Sequence, residues 1–312
     1  MAFHMSSIIT ITLNPAIDKS TSINVMVPEK KMKCTAPLFE PGGGGVNVAR
    51  AIKKLGGNAT AIYLAGGYTG KFFTQLLDKE KIESEVIEIA QHTRENLIVL
   101  DNSSNLQYRF GMPGPVIAEN EWKQLLNTIE KINDAHFIVA SGSVPEGVPL
   151  DIFARIASIA KRKNAKFIAD TSGEALQYAA NEGVYLLKPN LGELSSLAGK
   201  EELNIEMVDK VAKAVIAKGQ CEAMVVSMGA AGAMLVTKED SQQITPPAVI
   251  RKSTVGAGDS MVAGIVLSLL KGKTLHEAVQ YGVACGTAAT MNWGTELCRQ
   301  EDVEKIYATM QR

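Results

Sequence analysis

The chain has 312 residues, of which 46% are hydrophobic and 21% charged, and its formal net charge is −1. A charge so near zero argues against nucleic acid or an anionic membrane as partner, and no apolar run approaches the roughly 20 residues that span a bilayer. The four cysteines and four histidines are scattered without metal-ligand spacing, so no zinc site is expected and a reduced cytoplasm is the expected setting.

The opening MAFHMSS lacks the charged flank and apolar core of a secretory leader. Residues 1–7 read as a vector-derived or disordered extension, leaving a domain over residues 8–312. IITITL (8–13) is the first buried β-rich run, and residues 19–40 follow with β-like character, a turn signal and no helix between their strands. EPGGGGVNVARAIKKLGG (40–57) is a glycine cluster that runs into a helical pattern from Val46 to Leu55. ATAIYLAG (59–66) reads as a strand, and residues 94–110 are β-like around a second turn signal. Helical periodicity from Glu119 to Asn133 precedes the strand AHFIVASG (135–142); the same alternation continues with a helix over Leu150 to Lys163 and a strand at AKFIADTS (165–172). VYLLKPN (184–190) and EAMVVSMG (222–229) read as strands on either side of a helix from Met207 to Lys218, and STVGAGDSMVAGIVLSLL (253–270) places a buried helix from about Asp259.

Such alternation predicts an α/β fold with a mostly parallel central sheet, helices on both faces and right-handed crossovers. Ligands in such sheets gather beyond the carboxyl ends of the strands. Those ends carry Asn14, Gly66-Gly67, Ser141-Gly142-Ser143, Asp170, Lys188-Pro189-Asn190 and Ser227-Met228-Gly229. The two segments that break the alternation, 19–40 and 94–110, are expected to pair into a small antiparallel sheet, placed as a lid over a ligand or against a second subunit.

Several constellations can carry chemistry, each with a plainer alternative. Gly256-Ala257-Gly258 before an apolar helix makes an anion site, since a helix start offers unpaired N–H groups and small residues admit a ligand. Asp259 within it is either a general base on an attacking hydroxyl or an N-cap. The cluster Gly42–Gly45 lets backbone approach a small polar ligand, with Asn47 placed to bond a hydroxyl; it follows the lid strands, which weakens a dinucleotide reading. Asn190 and Glu193, three apart, either hold Mg²⁺ through its water shell or form an ordinary acidic helix start. The run Ser227 to Ala233 suits a base or phosphate, or a β-hairpin. Lys31, Lys33, Arg94 and Arg109 in the lid either decorate solvated strand edges or clamp a phosphate. Asp18 in NPAID suits sugar hydroxyls or a turn.

The order of these pieces resembles the PfkB (ribokinase-like) carbohydrate kinase family from about Ile8 to the C-terminus. Gly42–Gly45, Asn47, Gly56 and Gly66 match its N-terminal pattern, and Ser253 through Val266 match its G-A-G-D pattern, with N-x-x-E between them. The resemblance implies a ribokinase-like three-layer sandwich with a β lid. Within the family, T-L-N-P-A-I-D is similar to the hexose-phosphate branch, and Gly44-Gly45 stand where sugar 1-phosphate and tagatose members carry a lysine. The implied reaction is ATP-dependent phosphorylation of fructose 6-phosphate at C1. Tagatose 6-phosphate and fructose 1-phosphate are the alternative acceptors, and a non-catalytic sensor is a more distant alternative.

Carried onto this sequence, the resemblance makes Asp259 the base and the N–H groups of Gly256, Ala257 and Gly258 the anion hole. It assigns Asp18, Gly43, Gly44, Asn47 and Ser143 to the sugar, and Arg94, Arg109, Lys31 and Lys33 to its phosphate, with Lys31 reaching in from another subunit. ATP falls to Lys188, Asn190, Ser227, Gly229, Gly232, Val283 and Thr287, and Mg²⁺ to Asn190 and Glu193. A monovalent cation, K⁺, falls to Ser253, Val255, Ala289, Asn292 and Gly294. A homodimer joined through the lids is implied as well.

Overall fold

Runs that are buried at every position need a sheet covered on both faces, and the computed structural model, which describes residues 7–312, builds one. β1 (Ile8–Thr12) is buried throughout. β2 (Ala16–Ile23) and β3 (Leu38–Gly42) leave the main body, and the chain returns through α1 (Gly44–Lys54) to β4 (Thr60–Gly66), α2 (Gly67–Lys79) and β5 (Glu83–Ile89). β6 (Arg94–Asp101) and β7 (Leu106–Phe110) leave it a second time. The rest alternates: α3 (Glu119–Glu130), β8 (Phe137–Ser141), α4 (Ile152–Arg162), β9 (Lys166–Asp170), α5 (Gly173–Glu182), β10 (Val184–Leu187), α6 (Leu191–Leu197), α7 (Val208–Ala217) and β11 (Cys221–Ser227). A meander, β12 (Ala233–Thr237) and β13 (Ser241–Ile244), precedes α8 (Ala257–Leu270), α9 (Leu275–Thr290) and α10 (Gln300–Met310). Of the expected extension at residues 1–7, residues 1–6 lie outside the described residues, whereas Ser7 belongs to the fold, its carbonyl accepting from the N–H of His136 at 2.9 Å.

Among the described residues, nine strands form the main sheet in the order β13-β12-β11-β10-β9-β8-β1-β4-β5. Pairing is parallel from β11 to β5, and β12 and β13 add on antiparallel. The apolar core divides by face. Trp122, Phe153, Leu176, Leu194 and Val211 cover one side from α3 to α7, whereas Val46, Phe73, Val262, Val283 and Val303 cover the other from α1, α2 and α8 to α10. The expected three-layer sandwich is what forms. Chain order runs outward from β1 through β4 to β5 on one side and from β8 to β11 on the other. The switch point therefore lies between β1 and β8, where a crevice opens at the strands' carboxyl ends.

The lid is a four-stranded sheet, β3-β2-β6-β7. Its outer pairs are antiparallel as expected, but the central pair, β2 with β6, is parallel. The reason is topological: β2 continues from β1 and β6 from β5, and those strands leave the same edge of the main sheet in one direction. Between β2 and β3, residues 24–37 form no strand and are mostly exposed.

Candidate active site

α1 begins at the switch point because only glycine fits there. A Cβ on Gly44 would lie 2.2 Å from Ser141 Oγ, and one on Gly45 2.3 Å from the carbonyl oxygen of Ile11. Gly43 has φ 115°, a backbone region that L side chains rarely adopt. With these side chains absent, α1 docks directly on the ends of β1 and β8, and Thr12 Oγ1 accepts from the N–H of Val46 at 2.7 Å. Asn47, in the first turn, is thereby aimed across the crevice at α8.

α8 starts at Ala257 with Gly256 as N-cap in the left-handed region at φ 71°. Asp259 is therefore not the N-cap: it sits within the first turn, and its carboxylate faces the crevice. Its Oδ2 accepts from Asn47 Nδ2 at 2.9 Å and its Oδ1 from Ser141 Oγ at 3.5 Å. Burial and then the neighbouring Asp170 carboxylate push Asp259 up to a pKa of about 6, while Asn47, Lys188 and Ser141 pull the other way. Beside it, Lys188 Nζ pairs with Asp170 Oδ1 at 3.0 Å. Burial disfavours that ammonium, but Asp170 outweighs burial and holds the Lys188 pKa above its ordinary value. The same Nζ lies 3.4 Å from where a Cβ on Gly258 would stand, so a fixed positive charge flanks the first turn of α8.

The lid closes over this point. A cleft of about 610 Å³ has Asp18, Asn96, Arg109 and Phe110 of the lid on one side and Asn47, Asp259, Val255, Gly256 and Thr295 on the other. Asp18 Oδ1 accepts from Asn96 Nδ2 at 2.8 Å, and burial raises its pKa against that bond and the nearby Arg94. Gly42 is what lets Asp18 in, since a Cβ there would meet its Oδ2 at 2.3 Å. Arg94 spends its guanidinium on the backbone carbonyls of Met112, at 3.1 Å, and Asn14, at 3.0 Å. Ser143 Oγ accepts from Asn14 Nδ2 at 3.0 Å, which ties the end of β8 to the same corner.

Not every expected residue converges. Lys31 and Lys33 are exposed on residues 24–37 and do not line the cleft, because that stretch forms no strand to carry them over it. Asn190 and Glu193 close a reciprocal helix cap: Glu193 Oε2 accepts from the Asn190 N–H at 2.8 Å, and Asn190 Oδ1 from the Glu193 N–H at 2.9 Å. Burial raises the Glu193 pKa, and the cap bond and Lys188 oppose it. The Ser227–Ala233 run is a true hairpin, β11 pairing antiparallel with β12, and Gly232 is needed there at φ 87° where a Cβ would lie 2.0 Å from the Ile244 carbonyl. Ser227 nonetheless joins the Lys188–Asn190 corner, its N–H donating to the Pro189 carbonyl at 2.9 Å, and Gly229 is exposed at the hairpin's tip. Thr287 is half-buried on α9, but Val283, 1% exposed, packs into the core between α8 and α9 and presents no surface to a ligand. The residues 253–255 and 289–294 do lie together: Ser253 Oγ donates to the Gly294 carbonyl at 2.8 Å, the Ala289 carbonyl accepts from the N–H of Asn292, and the N–H of Val255 reaches Ser253 Oγ.

Asp170, Ser141 and Asn96 join the site although sequence reasoning assigned them no role. Asp170 and Ser141 stand at strand ends, so the strand-end rule contained them; Asn96 depended on the β2–β6 register, in which Asp18 faces Asn96, and nothing local encodes that.

Comparison with known proteins follows this geometry. A family model described as the pfkB family of carbohydrate kinases matches residues 5–302. The chain is 45% identical to the ATP-dependent 6-phosphofructokinase isozyme 2 of Escherichia coli, covering 99% of this chain and 100% of that one. It is 42% identical to the isozyme 2 of Mycobacterium tuberculosis, covering 96% of this chain and 88% of the other, and 32% identical to a 1-phosphofructokinase of Borreliella burgdorferi, covering 96% of each. Among solved structures, Escherichia coli phosphofructokinase-2 in complex with potassium superimposes with a TM-score of 0.94 at 45% identity, covering 98% of this chain and 99% of that one. The same enzyme with fructose-6-phosphate gives 0.92 at 43% identity, and its tetrameric inhibited form 0.92 at 44%, each with the same coverage.

Proposed function

The chain belongs to the pfkB family of carbohydrate kinases, and on that premise we propose that it is an ATP-dependent 6-phosphofructokinase, phosphorylating the C1 hydroxyl of fructose 6-phosphate to give fructose 1,6-bisphosphate and ADP in glycolysis. One observation carries the proposal: Asp259, with its raised pKa, opens onto the same cleft as Asp18 and Arg109 of the lid, with the first turn of α8 and the Lys188 ammonium beside it.

In the reaction, Asn47 and Asp18 orient the sugar, together with Ser143 and the backbone at Gly43 and Gly44. Arg109 takes the 6-phosphate with a guanidinium fork, and Arg94 frames that end of the cleft through the carbonyls it holds. Asp259 removes the proton of the C1 hydroxyl as that oxygen attacks the γ-phosphorus. The new C1–O–P bond forms, the bond from the γ-phosphorus to the bridging oxygen breaks, and the electron pair leaves with ADP. Charge grows on the equatorial phosphoryl oxygens, where the N–H groups of Gly256, Ala257 and Gly258, of which that of Ala257 also reaches the Thr254 carbonyl at 3.5 Å, and the Lys188 ammonium receive it. Asp170 keeps Lys188 protonated and pointed at that place. ATP itself lies along Lys188, Asn190, Ser227 and the Gly229 tip, with Thr287 at its far side.

Two ions accompany the nucleotide. The Asn190–Glu193 corner offers only oxygen donors, two of them already used in the helix cap, and among the described residues no three acidic, His or Cys side chains gather as a metal cage. That suits Mg²⁺, which keeps its waters and is held chiefly by phosphates, with the Glu193 carboxylate as its protein anchor; when bound, Mg²⁺ neutralises charge on the β- and γ-phosphates. The carbonyls of Val255, Ala289 and Gly294, gathered by Ser253 and Asn292, suit K⁺. No described helix is long and apolar enough to cross a membrane, and all four cysteines are free, in keeping with a reduced cytoplasm. A homodimer joined through the lids brings Lys31 of one copy to the phosphate end of the other's cleft.

The test is product identity. Incubated with Mg-ATP and fructose 6-phosphate, the protein is expected to give ³¹P resonances of a 1,6-bisphosphate and ADP in equal amounts. ATP hydrolysis without sugar phosphorylation would reject the assignment.

A further inference from the structure

Arg50 lies on α1 one turn beyond Asn47, is 2% exposed, and is surrounded by acceptors from α1 itself and from two other parts of the fold. Its guanidinium forks onto Glu80 at the end of α2, Nε to Oε2 at 2.8 Å and Nη2 to Oε1 at 2.7 Å. Nη1 donates to the Pro41 carbonyl of β3 at 2.7 Å and to Asn47 Oδ1 at 3.4 Å. Nη2 also reaches Glu40 Oε1 at 3.3 Å, and the other Glu40 oxygen accepts from the Thr295 hydroxyl. On the far side of the same amide, Asn47 Nδ2 donates to Asp259 Oδ2 at 2.9 Å.

A primary amide has a donor end and an acceptor end, and its neighbours decide which way it lies. Arginine can only donate, so it selects the carbonyl end of Asn47 and leaves the NH₂ end for Asp259. With the amide reversed, its carbonyl would face a carboxylate, acceptor against acceptor. We infer that Arg50 is a positioning residue for phosphoryl transfer: it fixes the Asn47 amide so that it donates to Asp259, and it fastens the root of the lid, Glu40 and Pro41, to that same amide. The inference rests on Asp259 being the base.

The other charged groups facing Asp259 are Asp170 at the end of β9, Lys188 beyond β10, and Asp18 and Arg109 of the lid across the cleft; α1 contributes Arg50 only through Asn47. The Asn47 bond is one of the contacts that restrain the Asp259 pKa against burial and Asp170. Losing it shifts the base upward and moves the acidic limb of turnover with it.

Arg50→Lys tests this. A lysine keeps the charge, but its compact ammonium, drawn to Glu80 and Glu40, has no fork with which to serve Asn47 as well. With both substrates saturating, the acidic limb of kcat against pH is expected to move up by about one pH unit. Turnover below the limb then falls by about tenfold, the alkaline plateau stays near wild type, and KM for ATP is unchanged. A loss that is uniform across pH, in a variant folded by circular dichroism, would overturn the inference. Should Arg50→Lys fail to fold, Glu80→Gln decides, because it loosens the fork from its exposed side; a smaller move in the same direction is expected, and an unmoved limb overturns the inference. Asp259→Asn is measured alongside. Substantial turnover in that variant rejects the base itself, whereas an inactive Asp259→Asn with an unmoved Arg50→Lys limb rejects only the role of Arg50.

Discussion

At the scale of single residues the site is held by conflicts that burial sharpens. Asp259 is kept from full ionisation by its burial and by Asp170, yet is steadied by Asn47 and Ser141, which leaves it titrating near the pH at which a base is useful. Replacing it with asparagine is expected to lower kcat by at least ~10²-fold while ATP binding, measured by calorimetry, persists. The same raised pKa has a cost in stability. Unfolded, the aspartate ionises near 3.8; folded, near 6, so between those values the native state binds more protons, and stability is lost as pH rises through that window. Asp259→Asn is therefore expected to be more stable than wild type at pH 8, by up to roughly 3 kcal/mol, and no more stable at pH 3. Urea titrations at the two pH values measure it; equal differences at both would contradict it. Asp259 stood out in the sequence as a carboxylate set into a small-residue helix start, but base and N-cap stayed open there until the family resemblance favoured the base, and the structure gives the N-cap to Gly256. Asp170 and Arg50 were not legible, since their partners, Lys188 at one and Asn47, Glu40 and Glu80 at the other, are assembled only by the fold.

At the scale of elements, close approach decides the geometry. α1 docks on β1 and β8 through Gly44 and Gly45, and this contact places the Asn47 amide 2.9 Å from the Asp259 carboxylate. Gly44→Ala would put a Cβ 2.2 Å from Ser141 Oγ and 2.6 Å from the Ser141 carbonyl carbon, and backbone has to move. The variant is expected to lose about 1–3 kcal/mol of stability and to show a raised KM for the sugar phosphate, checked by thermal unfolding and initial rates. Arg109 sits on β7 with no structural partner that would make its loss disruptive, so Arg109→Ala is expected to raise KM for the sugar phosphate by about tenfold or more and leave KM for ATP unchanged. Six of the nine strands of the main sheet, β1, β4 and β8 to β11, were readable because buried β-rich runs bounded by polar ends need little context, whereas β5, β12 and β13, partly exposed toward the ends of the sheet, were not. The parallel pairing of β2 with β6 was not readable either, because it is set by where β1 and β5 end, at Thr12 and Ile89, far apart in sequence. The exposed stretch 24–37 likewise carries β-like residues without forming a strand, although its Thr35 N–H bonds the Ser22 carbonyl of β2 at 3.0 Å.

At the scale of the whole molecule, the lid presents an uncovered apolar face. Leu38, Leu106, Tyr108 and Phe110 are exposed at 60%, 58%, 38% and 45%, a concentration of apolar side chains that an isolated sheet does not carry without a partner. In the proposed homodimer, pairing of the lids would cover these side chains and bring Lys31 to a neighbour's cleft. Tyr108→Asp is expected to shift the sedimentation coefficient toward that of a monomer and to raise KM for the sugar phosphate together with it; an unchanged coefficient would place the interface elsewhere. The sandwich and the lid were foreseeable from alternation and its two interruptions, but the switch point between β1 and β8 was not, because it depends on strand order, and the acceptor's identity, resting on one cleft and on Gly44-Gly45, is decided by chemistry.

That decision comes from kcat/KM with Mg-ATP for fructose 6-phosphate, tagatose 6-phosphate and fructose 1-phosphate, measured side by side in a coupled assay. Fructose 6-phosphate is expected to be preferred by an order of magnitude or more, if Arg109, which lines the cleft opposite Asp259, takes the 6-phosphate as proposed. Equal or greater efficiency with fructose 1-phosphate would contradict the placement of Asp259 on the C1 hydroxyl.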